Sequence, residues 1–238
     1  MGFNFSIGWG KNSYKYKKDN EGNHVYTLSN IDKGDFIIDY SYKYKGPTNV
    51  SYILDERSNE INIKERNSFY KDEELSPLTS LLPDDVTNTG FDRGHMASDA
   101  SFDYDKDVLN KTYSMANIAL QYPNVNRNVW AALEEYERYN ISQLGKVYVR
   151  NIIIYGEETL KKRPLEEILL KRTFKTEKDK NDYIKRYERE AKNLEEKKIY
   201  IPIFFIKKIF NKKYDFEECY KIPNIETLEN NINLYQID

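Results

Sequence analysis

Cysteine is all but absent. Cys219 is the only one in 238 residues, so no intramolecular disulfide can form. It sits in the strand-like run 218–222 and reads as a small buried hydrophobe. Histidine is almost as scarce, with His24 and His95 alone. Two histidines and one cysteine do not furnish the sulfur and nitrogen set of a structural zinc site. No apolar run reaches the length of a membrane span. The first nine residues lack the basic region and long apolar core of a secretory leader, so the default location is intracellular. Linkers rich in Gly, Ser and Pro are missing too, which favours one domain over 1–238. A basic excess is also lacking. Net charge is −2, whereas nucleic-acid binders are usually positive, because cations displace counterions from phosphates. Bulk charge speaks against such a partner unless a cleft is locally positive.

What is present is a globular composition, 39% hydrophobic and 32% charged, with two stretches that carry chemistry. Gly90-Phe91-Asp92-Arg93-Gly94-His95-Met96-Ala97 offers an imidazole beside a guanidinium. Ser114-Met115-Ala116-Asn117-Ile118-Ala119-Leu120-Gln121, followed by Asn126, Trp130 and Glu134, offers a carboxamide and a carboxylate two helical turns apart. A neutral imidazole titrates near pH 7 and can take a proton from water. Oxygen donors suit a hard divalent cation that keeps several of its waters. The two stretches together can hold a metal, a water and a phosphodiester.

The run Asp92-Arg93-Gly94-His95 resembles the signature of the DNA/RNA non-specific endonucleases, sugar-non-specific nucleases of the ββα-metal (His-Me finger) type. Arg66-Asn67-Ser68-Phe69 resembles that family's upstream Arg-x-x-Phe segment. Asn117-Ile118-x-x-Gln121 and Asn126-x-x-x-Trp130-x-x-x-Glu134 follow in its order and spacing, and 200–207 and 219–224 resemble its closing strands. The resemblance covers roughly 40–155 and 199–224. It implies an α+β fold with a mixed, mostly antiparallel central sheet flanked by helices. The parts would be an N-terminal extension (1–35), a catalytic core (36–155), a charged helical insert (156–198), and closing strands with a tail (199–238).

The implied chemistry gives His95 the role of general base, with its second ring nitrogen held by a backbone carbonyl. Asn126 would be the direct protein ligand of one magnesium ion, for which manganese substitutes, and Glu134 would order metal-bound water. Arg93 and Arg66 would grip phosphate oxygens through their planar donor forks. By residue type alone Arg66 is a solvated surface charge. Asp92 would orient a neighbour, Asn117 would position groups near His95, and Gln121 would support the site. Because these contacts reach phosphate, metal or water and no base edge, DNA and RNA are both expected as substrates. Leu120 stands where the family usually has proline, which bears on loop shape rather than on the catalytic set. Two rival readings are a sequence-specific HNH-like endonuclease and an inactive nucleic-acid-binding module of the same fold. A homodimer and an inhibitor partner are left open.

Patterning predicts strands at 24–28, 50–54, 91–96, 113–120, 147–155, 199–210 and 216–222. Residues 75–89 read as a loop. Asp103, Asp105 and Asp107 alternate in an acidic loop over 99–111 that lacks the glycine and late glutamate of a calcium-binding EF-hand. A helix runs from about Asn126 to Gln143, with Trp130 and Leu133 on its core face and Gly145 ending it. Within 157–198, Tyr183, Tyr187, Ala191 and Leu194 follow a helical repeat among dense Lys and Glu. This reads as a solvated helix with charge pairs, the alternative being an added helix that contacts nucleic acid or a partner. Residues 225–235 read as a short terminal helix or tail.

Overall fold

The computed structural model describes residues 14–18, 24–60 and 63–237, with 14–18 and 24–29 described by their backbone alone. In chain order these residues form β1 (Tyr14–Lys18), β2 (His24–Asp32), β3 (Phe36–Ser41), β4 (Gly46–Asp55), α1 (Arg57–Glu60), α2 (Pro83–Val86), β5 (Asp92–His95), α3 (Lys106–Thr112), β6 (Ile118–Gln121), α4 (Ala131–Leu144), β7 (Lys146–Thr159), α5 (Leu165–Leu169), α6 (Glu177–Lys197), β8 (Tyr200–Asn211), β9 (Phe216–Pro223) and β10 (Gln236–Ile237). Eight strands make one sheet in the order β1-β2-β3-β4-β7-β8-β9-β10, and β5 pairs only with β6. Every pairing between these strands is antiparallel, in keeping with the expected, mostly antiparallel central sheet, and Tyr70 and Ser114 form an isolated parallel bridge. Residues 14–18 and 24–32 are its first two strands, so the sheet reaches into the segment expected as an extension.

Period-two alternation sets which face is buried. Ile38 and Tyr40, then Val50, Tyr52 and Leu54, then Val147, Val149 and Ile153, then Phe205 and Ile209 all point into one core. Val125, Val129, Trp130, Leu133 and Ile141 cover that face from the helical side. Two polar residues share the inward series, Asn151 and Lys207, directly opposite each other on β7 and β8.

The two-stranded ribbon lies between two apolar clusters. Ala119 faces the sheet core, whereas Ile118 and Leu120 join Leu81, Val86, Leu160, Leu194 and Ile199 on the other side. The segment after β7 therefore does more than present solvated charge. Tyr183, Tyr187 and Leu194 bury one stripe of α6, while exposed pairs such as Arg186–Glu190 decorate the other. Thr176 caps this helix reciprocally with Asp179.

Four local expectations change. The acidic stretch 99–111 is a 3-10 turn (Asp99–Ser101) followed by α3, because Asp105 caps the first N–H groups of α3 and Leu109 and Thr112 are buried. The second ribbon strand is shorter than 113–120, since Met115–Asn117 form a 3-10 turn before β6. The long helix begins earlier, at Pro123, and its first turns include a π-helical stretch, Val125–Trp130, before it runs on as α4. Loop 75–89 also contains the short α2, and 225–235 holds only a 3-10 turn, Ile232–Tyr235.

Candidate active site

β5 places Asp92 opposite Gln121 and His95 opposite Ile118. Gly94 is dictated by this pairing, because a Cβ there would run into Gln121 Oε1. Gln121 is fully buried, and neither its Oε1 nor its Nε2 has a hydrogen-bond partner.

The strand that carries His95 is bonded to the helix at both of its ends. Asn126 Nδ2 donates to Asp92 Oδ2 at 3.1 Å. Trp130 Nε1 donates to the His95 carbonyl at 3.0 Å. Arg127 closes the first junction with two 2.8 Å bonds to Asp92. Asn117, wholly buried, fixes the chain just past His95. Its Oδ1 accepts from Ala97 N, its Nδ2 donates to the carbonyls of Ala97 and Thr112, and its own carbonyl accepts from Met96 N. Asn151 Nδ2 donates to the Met96 carbonyl.

The His95 ring is held by packing. It lies 5.3 Å from Phe69, tilted, and 5.0 Å from Tyr113, edge to face. Its Nε2 is buried with no hydrogen-bond partner, and the carbonyl clamp expected from sequence is not among the bonds of the described residues. Burial lowers the imidazole pKa from 6.5; Asp99 opposes this and Arg66 adds to it. The ring is therefore neutral at physiological pH.

The two arginines are engaged differently. Arg93 donates to Pro83 O at 2.7 Å and Thr87 Oγ1 at 3.0 Å, lies over the Phe69 ring, and keeps a buried Nε without a partner. Arg66 pairs with Asp99 at 3.1 Å and Asp103 at 3.0 Å and donates to the Ile63 carbonyl. Its fork is already filled by carboxylates, a pairing that sequence did not suggest because the partners lie far along the chain. Asp99 also accepts from Tyr113 Oη at 2.7 Å, so it ties Arg66 to a residue that packs on His95.

Glu134 lies one turn beyond Trp130 on α4. Burial raises its carboxyl to about 8; Lys207 and Arg138 oppose this, while Glu137 and Asp99 add to it. No hydrogen bond to its carboxylate occurs among the described residues. Asn126, with its Nδ2 given to Asp92, has Oδ1 as its free end. A carboxamide oxygen and a half-buried, unbonded carboxylate suit a hard cation that retains water. No three His, Cys, Asp or Glu gather into a metal cage among the described residues, so such an ion would rest on few protein ligands.

Behind the site lies a group of residues that sequence reading passed over. Glu137 accepts from Tyr52 Oη, Ser101 Oγ and Lys207 Nζ. The Lys207 ammonium also sits over the Trp130 ring at 4.5 Å. A signal was available: Asn151 and Lys207 occupy inward positions of otherwise apolar alternating strands.

A two-stranded ribbon strapped to a helix, set against an antiparallel sheet, is the architecture of the ββα-metal nucleases. The family model described as DNA/RNA non-specific endonuclease matches residues 16–235, and the chain belongs to that family. It is 32% identical over 81 residues to mitochondrial Endonuclease G of Bos taurus, which is 34% of this chain and 27% of that protein. To a nuclease of a Nostoc species it is 32% identical over 89 residues, 37% of this chain and 32% of the other. To the mitochondrial nuclease of Saccharomyces cerevisiae it is 30% identical over 147 residues, 60% and 43% of the two. The matches thus span less than half the length of these relatives. A crystal structure of the EndoG/EndoGI complex superimposes with a TM-score of 0.66 at 19% identity, over 88% of this chain and 80% of that one, a likeness of fold.

Proposed function

We propose that this chain is a metal-dependent endonuclease that hydrolyses phosphodiester bonds in DNA and RNA without reading base sequence. The observation that carries the reading is the double strap: the strand bearing His95 is bonded through Asp92 and through its own carbonyl to the helix bearing Asn126 and Glu134. A base and an oxygen-donor pair on separate elements are thereby fixed relative to each other, as general-base hydrolysis requires.

His95, half-buried and neutral because its surroundings desolvate the ring, takes the proton from a water as that water's oxygen bonds to phosphorus and the bond to the leaving oxygen breaks. Asn126 would hold a magnesium or manganese ion through Oδ1, and Glu134 would order its water. Such an ion, when bound, neutralises charge on the phosphate and the leaving oxygen. Arg93 has donor capacity left and grips a phosphate oxygen. Arg66, held by Asp99 and Asp103, must exchange a carboxylate for phosphate to bind directly. Nothing in this set contacts a base or a 2′-hydroxyl, which supports action on both DNA and RNA. No helix among the described residues is long and apolar enough to cross a membrane. A homodimer and an inhibitor partner belong to the same reading, the latter because the structure of similar fold is a complex in which EndoG is inhibited.

The test is cleavage of circular double-stranded DNA and of RNA, with and without magnesium. Nicking followed by a smear, and loss of both in a chelator, is expected. Discrete DNA fragments would instead indicate a sequence-specific enzyme, and binding without cleavage an inactive module.

A further inference from the structure

The insert after β7 is docked on the loop that leads into β5. Lys162 Nζ donates to the carbonyls of Asp84, Asp85 and Thr87, and Lys197 pairs with Asp85 at 2.5 Å. Between these anchors lies Arg163. Its N–H donates to Asn88 O at 2.8 Å, and its carbonyl accepts from Tyr187 Oη at 2.7 Å. Pro164 follows and restricts the Arg163 backbone further. Both main-chain polar groups of Arg163 are thus bonded, one to the loop and one to α6.

The guanidinium is seated over Gly90. A Cβ on Gly90 would lie 2.8 Å from Arg163 NH2 and 2.9 Å from Nε, and the glycine holds φ +96°. No ion pair or hydrogen bond engages this guanidinium among the described residues, and Arg163 is exposed. Arg93 rests on the same loop through Pro83 O and Thr87 Oγ1. One loop therefore carries a cation spent on carbonyls (Lys162), a half-buried one (Arg93), and one with a fixed backbone and an uncommitted head (Arg163). The acids of the loop do not cancel the last of these: Asp85 is paired with Lys197, and Asp84 faces Lys162 and Arg93.

We propose that Arg163 is a phosphate-binding residue contributed by the insert, which grips a backbone phosphate of the nucleic acid flanking the one held at Arg93. The inference rests on the nuclease reading and extends it: the insert favours polymeric over minimal substrates. A planar fork on an immobilised backbone loses little freedom on binding phosphate.

The test uses the full chain carrying His95→Ala, so that the probe survives, and a short DNA duplex followed by fluorescence anisotropy between about 50 and 200 mM salt. Arg163→Ala should weaken binding, and the slope of log affinity against log salt should become shallower by about 0.9, one phosphate contact. Arg163→Gln, which keeps the side-chain bulk, should do the same. Lys185→Ala, removing a charge elsewhere on α6, should leave the slope unchanged. In the otherwise native enzyme, Arg163→Ala should raise KM for plasmid DNA and spare hydrolysis of bis(p-nitrophenyl) phosphate. Unchanged slope and KM in both Arg163 variants, with the parent active, would overturn the proposal alone. A parent that neither binds nor cleaves nucleic acid would overturn the nuclease reading, and the proposal with it.

Discussion

Lys207 Nζ lies 2.6 Å from Glu137 Oε2, and neither side chain exposes any surface. The pair sits under Trp130, whose indole N–H holds the His95 carbonyl. Removing one partner of a buried pair leaves the other charge without compensation, which typically costs about 3–5 kcal/mol. Lys207→Met should lower the unfolding free energy by that order, and Lys207→Met with Glu137→Leu should recover most of it. Chemical denaturation of the three proteins decides this. A double variant no more stable than the single one would show that the two charges are not coupled.

Activity should follow the neutral imidazole. Burial holds the His95 pKa below 6.5, so the base form is complete above that value and is lost as pH falls. The acid limb of kcat/KM should have its midpoint below pH 6.5. His95→Ala should abolish the limb and lower the rate by about 10²–10⁴. A limb centred above pH 6.5 would assign the base to another group.

Metal affinity should separate the helix residues from the strand residue. Asn126→Ala should weaken manganese binding most, and Glu134→Ala by about 10–100-fold, the usual loss for a group that acts through bound water. His95→Ala should bind the ion as the parent does. Titration of the ion by calorimetry, with no substrate present, reads this directly. Loss of binding in His95→Ala together with normal binding in Asn126→Ala would place the ion on the imidazole.

Glu134 should also make the metal-free fold sensitive to pH. Its carboxyl is raised from 4.5 to about 8, so the folded state binds that proton more tightly than the unfolded state. Stability is fully present below the unfolded value and declines as pH rises toward the folded one. Glu134→Gln should therefore stabilise the protein in chelator at pH 8, by about 4 kcal/mol at most, and leave it unchanged below about pH 4.5. Thermal melts at the two pH values check it. Equal melting temperatures at pH 8 would mean that the carboxylate is not held against its charge.

The finger was legible because its residues are local. Asp92 to His95, Asn117, Gln121, Asn126 and Glu134 fall within one stretch of chain, and the strands behind them alternate cleanly. What escaped was long-range or masked by composition. The carboxylates that fill the Arg66 fork lie far along the chain, and nothing local to Arg66 announces them. In the acidic stretch, the aspartates that suggest a solvated loop conceal Asp105 as a helix cap and Leu109 as a buried residue. Lys207 belongs to a residue type that is almost always exposed, and only the phase of Phe205 and Ile209 around it gives its inward position away. In the insert, dense Lys and Glu outweighed the buried stripe of α6, in which Tyr183 and Tyr187 pack on Ile168 of α5 and Leu194 reaches Leu81 and Val86 in the loop before β5.

The ribbon, the π-helical stretch and α4 all lie on one excursion of the chain, residues 56–145, whose two ends meet where Asp55 of β4 faces Lys146 of β7. Closing a loop of roughly ninety residues costs about 4 kcal/mol of chain entropy, which the β4–β7 pairing must overcome to join the strands before the excursion to those after it. Folding is then expected to run from local structure on the excursion toward the sheet, with catalytic geometry set only when this pair closes. The same closure makes the finger a module in the evolutionary sense. Its entry and exit are hydrogen-bonded neighbours in an antiparallel pair, so a host sheet could acquire or lose it at a single hairpin while keeping the order of its own strands.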